Sequence, residues 1–288
     1  MINRSRNVIR PADQKDLHRL ANLIHFEPYV HRHLDYRQPL EWVGVPQFLV
    51  LEQGHELLAA LACPPEPPSI AWIRLFAVSS RLTPATTWKA LWAEAMEINN
   101  SDQQISLSAA IPLYSWFESL LRDSNFEKTH SIVMLSWENS QLPSATPSPE
   151  VVIRPMTWDD LNVVKEIDHA AFNPLWQNSL RYFEIAFSQA IWATIAEHNG
   201  EPAGYQISTP TSIGAHLARL AVHPKVQGVG LGYALIHDLL SQSKRRGARS
   251  ITVNTQKDNL ASLALYRKAG FRMTGEEYPI YTYPLHSP

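Results

Sequence analysis

The strongest constraint on the fold is that the chain repeats itself. The segment VIRPADQKDLHRLANLI starting at Val8 resembles VIRPMTWDDLNVVKEID starting at Val152, and AWIRLFAV starting at Ala71 resembles AHLARLAV starting at Ala215. Both pairs share one offset of 144 residues (8 to 152, 71 to 215), half of the 288-residue chain. A shared offset between separate stretches marks a duplication, and each half has the length of an ordinary domain. Between them, SQLPSATPSPE (140–150) holds three prolines, three serines and a threonine. Such a stretch offers little to a core and reads as an extended linker. Domains of 1–139 and 151–288 are therefore expected.

The second half alternates strand and helix signals. VVIRP reads as a strand, and the next segment as a helix with Thr157 as N-cap. Asn199-Gly200 marks a hairpin, AHLARLAV and SITVNT read as strands, and two helices close on Gly247 and Gly270. EEYPIYTYPL, with its prolines, suits an edge or bulged final strand. The expected class is α+β, with a mixed central sheet flanked by helices in each half.

Composition removes several kinds of function. A formal net charge of −2 supplies no basic field for nucleic acid and no polybasic membrane surface. Cys63 is the single cysteine, so an intrachain disulfide and a zinc site of several thiolates are excluded. His25, His31 and His33 lack a closely spaced set of further ligands, and no metal is expected. MINRSRNVIRPADQ has no apolar core of a signal peptide, and no run approaches the length of a membrane helix. The expected location is cytoplasmic.

VQGVGLG (226–232) lies between a strand and a helix. A nucleoside-triphosphate loop needs Lys-Ser/Thr after its glycines, but Gly232 is followed by Tyr233 and Ala234. A dinucleotide fingerprint needs glycine where Tyr233 stands. What remains is Gln-x-x-Gly-x-Gly, formed by Gln227, Gly228, Val229, Gly230, Leu231 and Gly232. Glycines let successive N–H groups approach a phosphate, and the following helix adds unpaired donors and the positive end of its dipole.

With LARLAVHPKV before it and NTQKDNLASLALYRKAGF (254–271) after it, this loop resembles the acetyl-coenzyme A loop of the GNAT superfamily of N-acetyltransferases. The resemblance covers roughly residues 151–283. It implies that Leu220, Ala221 and Val222 offer main-chain groups to the pantetheine arm and that Gln227 through Tyr233 surround the pyrophosphate. It also implies that Asn259 and Tyr266 face the cofactor; seven residues apart, they share one helix face. Tyr266 is the expected general acid, able to protonate a departing thiolate of ordinary pKa about 8.5. Asn259 also fits the cap of its helix, a role compatible with cofactor contact, and a core aromatic is the alternative for Tyr266; both readings stay open here.

The resemblance thins at the general base. A glutamate common in one branch of the family is replaced by Asn254, which cannot take a proton. This tilts the expected acceptor toward an α-amine, with pKa about 7.7–8.0, over a lysine at about 10.4. His223-Pro224 reads as a strand-ending turn, and SKRRGAR (243–249) as basic residues answering a helix C-terminus. Phe172, Trp176, Tyr182, His216 and Tyr281 fall where this family lines its acceptor cleft, and equally suit a core.

At the same offset, the glycine loop becomes TPATTW (83–88) in the first half, with Trp88 for the last glycine; Leu121 stands for Tyr266 after a one-residue shift. The first half should keep the fold, lose the cofactor site, and either wall the acceptor cleft or mediate assembly, a homodimer included. The function so implied is an acetyl-CoA-dependent N-acetyltransferase acting on a small-molecule amine or a peptide N-terminus. The rival is a noncatalytic module that binds and reports acyl-CoA.

Overall fold

The computed structural model describes residues 7–138, 141, 142, 144 and 150–285. The first half runs β1 (Asn7–Pro11), α1 (Leu17–Phe26), β2 (Tyr29–Arg32), β3 (Phe48–Gln53), β4 (Glu56–Ala62), β5 (Ile70–Trp72), β6 (Leu75–Val78), α2 (Pro84–Ser101), β7 (Leu107–Ala110), α3 (Ser115–Asp123) and β8 (Glu127–Glu138). The second runs β9 (Val151–Pro155), α4 (Leu161–Ala171), α5 (Leu180–Ser188), β10 (Trp192–His198), β11 (Glu201–Thr211), β12 (Gly214–Val222), α6 (Leu231–Arg245), β13 (Ser250–Gln256), α7 (Leu260–Lys268) and β14 (Arg272–Pro284). Among the described residues, no helix is long and apolar enough to cross a membrane.

The duplication is visible in side-chain chemistry. Arg10 grips Asp16 at 2.7 and 2.9 Å and reaches Glu52 at 2.7 Å. Arg154 grips Asp160 through two bonds of 2.8 Å and reaches Glu197 at 2.6 Å. Each aspartate also accepts a backbone N–H three residues back, from Asp13 or Thr157, and so starts a short 3-10 turn before its helix. The Arg154 guanidinium holds the Asp160 carboxyl down at about 2.

The two compact units do not follow the expected division at 139 and 151. One comprises residues 1–129 and 279–288, the other 130–278. The reason is strand pairing: Ile132–Glu138 of β8 run antiparallel to β13, from Gln256↔Ile132 to Ser250↔Glu138. Tyr281–Pro284 of β14 run antiparallel to β7. Each half thus gives the distal part of its last strand to the other half's unit. Most of the expected linker, 140–150, lies outside the described residues.

In the second unit the strand order is β8-β13-β12-β11-β10-β9. The β10–β11 hairpin turns at Asn199 and Gly200, both at positive φ (55° and 83°), as the Asn-Gly pair requires. β12 and β13 are parallel and are joined across α6, the crossover such a pair needs. Leu217 and Val253 point into a core with Ile236, Leu239, Leu240, Leu263 and Phe271. Along β11 and β12 the register skips at Ala218, since Ile207 pairs with Arg219 but Ser208 with Leu217. This bulge bends β12. Its pairing with β13 ends at Leu217↔Val253, so the two strands splay beyond that point.

The first unit has the same splay and fills it. β5 pairs with β7 in parallel, as the start of β12 does with β13. β6, which matches residues 219–222 at the offset of 144, then pairs with β2, from Arg32↔Leu75 to Tyr29↔Val78. His31 of β2 is fully buried and stacks on Phe117 at 3.9 Å. Trp88 packs its indole edge-on to Phe76 at 5.2 Å and parallel to Trp92 at 5.5 Å. The strand edge that the second unit leaves open is here covered by the chain itself.

Candidate active site

The residues expected to hold a cofactor, Leu220–Val222 and Gln227–Tyr233, run from the end of β12 to the head of α6, where the sheet splays. Beyond the bulge, Leu220, Ala221 and Val222 pair with β11 on one side and, among the described residues, have no strand partner on the other. Val222 O is reached by Gln227 Nε2 at 3.0 Å, which folds the loop back on the strand. His223 ends the strand by accepting the Lys225 N–H on its Nδ1, and Pro224–Val226 form a 3-10 turn.

Gly228 and Gly230 both take positive φ (85° and 99°), and Gly230 is the N-cap of α6. Side chains are strained in this region by about 1–2 kcal/mol, which is why glycine stands at both places. Gly232 is less constrained: a Cβ there would lie 3.1 Å from the end of Leu265, at Cδ2, and 3.7 Å from Val222 Cγ2. The first backbone bond of the helix is Ala234 N–H to Gly230 O, at 2.9 Å. Among the described residues, the N–H groups from Gly228 to Tyr233 have no backbone acceptor. Six adjacent donors at the positive end of a 15-residue helix form an anion cradle.

Side chains in the loop divide into two kinds. Leu231 and Tyr233 are buried, and the Tyr233 hydroxyl donates to Ser144 O at 3.1 Å, so both residues face a ligand only with their backbone. Gln227 and Val229 are exposed. Asn259 caps α7, accepting the Ser262 N–H at 3.0 Å and donating to Gln256 Oε1 at 3.3 Å. Tyr266 is buried against Phe271, and its hydroxyl makes no hydrogen bond among the described residues. Burial raises its pKa above the ordinary phenol value, while the charge of Arg219 opposes the rise.

The face of the sheet opposite α6 and α7 carries His216 on β12 and Thr252 and Asn254 on β13. Asn254 is exposed and pairs with Met134. His216 Nδ1 lies 2.8 Å from Thr252 Oγ1, and burial lowers its pKa below the usual 6.5, leaving a neutral imidazole at neutral pH. The segment between α4 and α5 brings Trp176 edge-on to His130 at 5.9 Å. Tyr281, expected at the same cleft, belongs instead to the first unit: it donates to Glu118 at 2.7 Å and accepts from Arg122 at 2.8 Å on α3. Its displacement follows from the strand exchange.

One buried group escaped the sequence reading. Asp168 of α4 is wholly buried and receives the Tyr205 hydroxyl at 2.6 Å, Arg219 Nε at 2.7 Å and the Asn178 N–H at 3.1 Å. Removing one partner of such a pair costs about 3–5 kcal/mol. Nothing in the spacing of 168, 205 and 219 signals their meeting. Among the described residues, no group of three or more histidine, cysteine, aspartate or glutamate side chains could hold a metal.

A strand splay, a glycine loop heading a helix, and a tyrosine-bearing helix beside both define an acyltransferase architecture. Residues 157–271 match the family model described as acetyltransferase (GNAT) family. The second half thus carries a GNAT acetyltransferase domain over residues 157–271. Over 133 residues it is 25% identical to a Bacillus subtilis (strain 168) protein named for alanine N-acetylation of ribosomal protein bS18, covering 46% of this chain and 88% of that one. Over 85 residues it is 29% identical to a peptidyl-lysine N-acetyltransferase of Salmonella typhimurium, covering 30% of this chain and 52% of that one. A tandem GNAT protein from the clavulanic acid biosynthesis pathway superposes with a TM-score of 0.62 at 14% identity, covering 98% of this chain and all (100%) of the other. The whole chain therefore has a tandem GNAT fold.

Proposed function

We propose that the second unit is an acetyl-CoA-dependent N-acetyltransferase whose acceptor is a primary amine of low pKa, on a small metabolite or at a peptide N-terminus. The observation that carries this reading is the row of six unpaired N–H groups from Gly228 to Tyr233 beside the open edge of Leu220–Val222. The row suits a pyrophosphate, and the edge suits the amide groups of a pantetheine arm laid along it as an added strand. Acetyl-CoA supplies an acetyl group already activated as a thioester.

The chain's own residues then move protons. In the tautomer this reading requires, Nδ1–H of His216 donates to Thr252 Oγ1, 2.8 Å away, and the Nε2 lone pair takes a proton from the attacking amine. Tyr266 supplies the proton that the departing thiolate takes up as the C–S bond breaks. An imidazole with pKa below 6.5 is a weak base. Taking a proton from an α-ammonium at about 8 costs at least about 2 kcal/mol, and from a lysine ammonium at about 10.4 at least about 5. This favours the α-amine, in line with the Bacillus subtilis relative named for alanine acetylation. The first unit, with Trp72 at the place of His216 and Leu121 at that of Tyr266, is a noncatalytic partner.

The test is Tyr266→Phe in the full chain. Thiol release from acetyl-CoA with a panel of primary amines should fall about tenfold while acetyl-CoA affinity stays unchanged. Binding of acetyl-CoA with no amine turned over by the wild type would establish the sensing module instead.

A further inference from the structure

The two units treat one stretch of chain in opposite ways. In the first, residues 29–32 form β2 and pair by backbone bonds with residues 75–78. At the offset of 144, the second unit has Asn173, Pro174, Leu175 and Trp176 against residues 219–222. Here Pro174–Trp176 form a 3-10 turn and no strand, and among the described residues no strand pairs with 219–222 on that side. Pro174 has no N–H with which to extend a ladder.

Side chains hold this segment in place: His169 Nε2 lies 2.9 Å from Asn178 O and Gln177 Nε2 donates to His169 O at 3.1 Å at its outer end, and Arg219 anchors its middle. Arg219, at the position of Leu75, donates through Nη2 to Trp176 O at 2.5 Å and through Nε to Asp168 Oδ1 at 2.7 Å. Its guanidinium carbon lies over the Phe172 ring, 3.8 Å from the ring centre. Asp168 in turn accepts the Asn178 N–H, and Gln177 Nε2 ties back to Phe172 O at 2.9 Å. Both ends and the middle of 172–178 thus converge on one buried ion pair, whose carboxylate is wholly buried. A backbone ladder would have closed the splay, whereas a side-chain clamp leaves the edge of Leu220–Val222 free.

We propose that Arg219, held by Asp168, is a positioning residue that keeps residues 172–178 clear of the cofactor strand and fixes them as the acceptor wall. This rests on the acetyltransferase reading of the same site. Through Arg219, ordering of Leu220–Val222 by a cofactor is transmitted to Trp176, so the acceptor wall firms once the acyl donor is in place.

The experiment is hydrogen exchange by mass spectrometry on the full chain, with and without acetyl-CoA, for wild type, Arg219→Lys and Arg219→Leu. In the wild type, acetyl-CoA should slow exchange at both 218–233 and 172–179. In Arg219→Leu, exchange at 172–179 should rise at least tenfold without ligand, and cofactor protection should persist only at 218–233; Arg219→Lys should recover part of the coupling. Should Arg219→Leu fail to fold, Asn178→Pro removes one tie without leaving a buried charge unpaired, and Gln177 already has the extended backbone (φ −69°, ψ 152°) that precedes proline. It should loosen 172–179 in the same way. Unchanged exchange at 172–179 in a folded variant, or cofactor protection there that survives it, overturns the proposal. If wild type binds no acetyl-CoA, the functional reading fails, and the ligand-free exchange still decides whether the clamp exists.

Discussion

His216 on β12 and Thr252 on β13 face each other across the last stretch of parallel pairing, with Nδ1 and Oγ1 2.8 Å apart. The bond ties the imidazole to a strand instead of a mobile loop, and it lies next to the point where the two strands part.

Replacing His216 by Gln should lower kcat by about 100-fold and leave acetyl-CoA affinity within twofold. The folded pKa is depressed, so the base is neutral and the rate full above pH 6.5; the acid limb of the wild-type profile falls below that value. Loss of that limb in His216→Gln confirms the assignment, and an unchanged limb refutes it.

The glycines should rank by backbone strain. Gly228→Ala and Gly230→Ala each force a side chain into positive φ, at about 1–2 kcal/mol, and should weaken acetyl-CoA binding about tenfold. Gly232→Ala meets only the end of Leu265 and should cost less. Val229→Ala, whose exposed side chain packs on nothing in the core, is the control. Calorimetric titration reads the order.

A fragment of residues 151–288 should fail to fold. It lacks Val133, Leu135 and Trp137, which are buried in the core of the second unit, and leaves the edge of β13 bare. At about 1.5–3 kcal/mol for each buried apolar side chain, the loss rivals the whole stability of a domain. A chain starting at Glu127 should recover cooperative urea unfolding, and equal cooperativity without β8 would contradict the exchange.

Acid should unfold the first unit through β2. Burial lowers the pKa of His31 to about 3 and puts His33 well below its usual value. Both folded values are depressed, so the stability is full above the unfolded pKa near 6.5; the His31 share is lost as pH falls toward 3, at about 1.4 kcal/mol per pH unit, and His33 acts in the same direction. Urea midpoints of His31→Gln should show a slope between pH 6 and 4 that is smaller by about one proton. An unchanged slope would mean that His31 is protonated in the folded state.

Much of the architecture was legible because it is local or repeated. The shared offset exposed the duplication, Asn199-Gly200 set a hairpin, and the glycine pattern marked the head of α6. Asn259 proved to be a helix cap, one of the two roles open to it, and the two are compatible. The strand exchange was not legible, since β8 pairs with residues over 110 positions away and carries no signal of which β13-like edge it will meet. The bulge at Ala218 has no glycine or proline to announce it. Asp168, Tyr205 and Arg219 meet only through tertiary packing, and His216 stood out from other histidines only once Thr252 was beside it.

The central claim is one cofactor site, in the second unit. Calorimetric titration of acetyl-CoA into the full chain should give one saturable site per chain, weakened by Gly230→Ala and indifferent to Trp88→Phe in the first unit. Two sites per chain, or no saturable binding at millimolar acetyl-CoA, would contradict it.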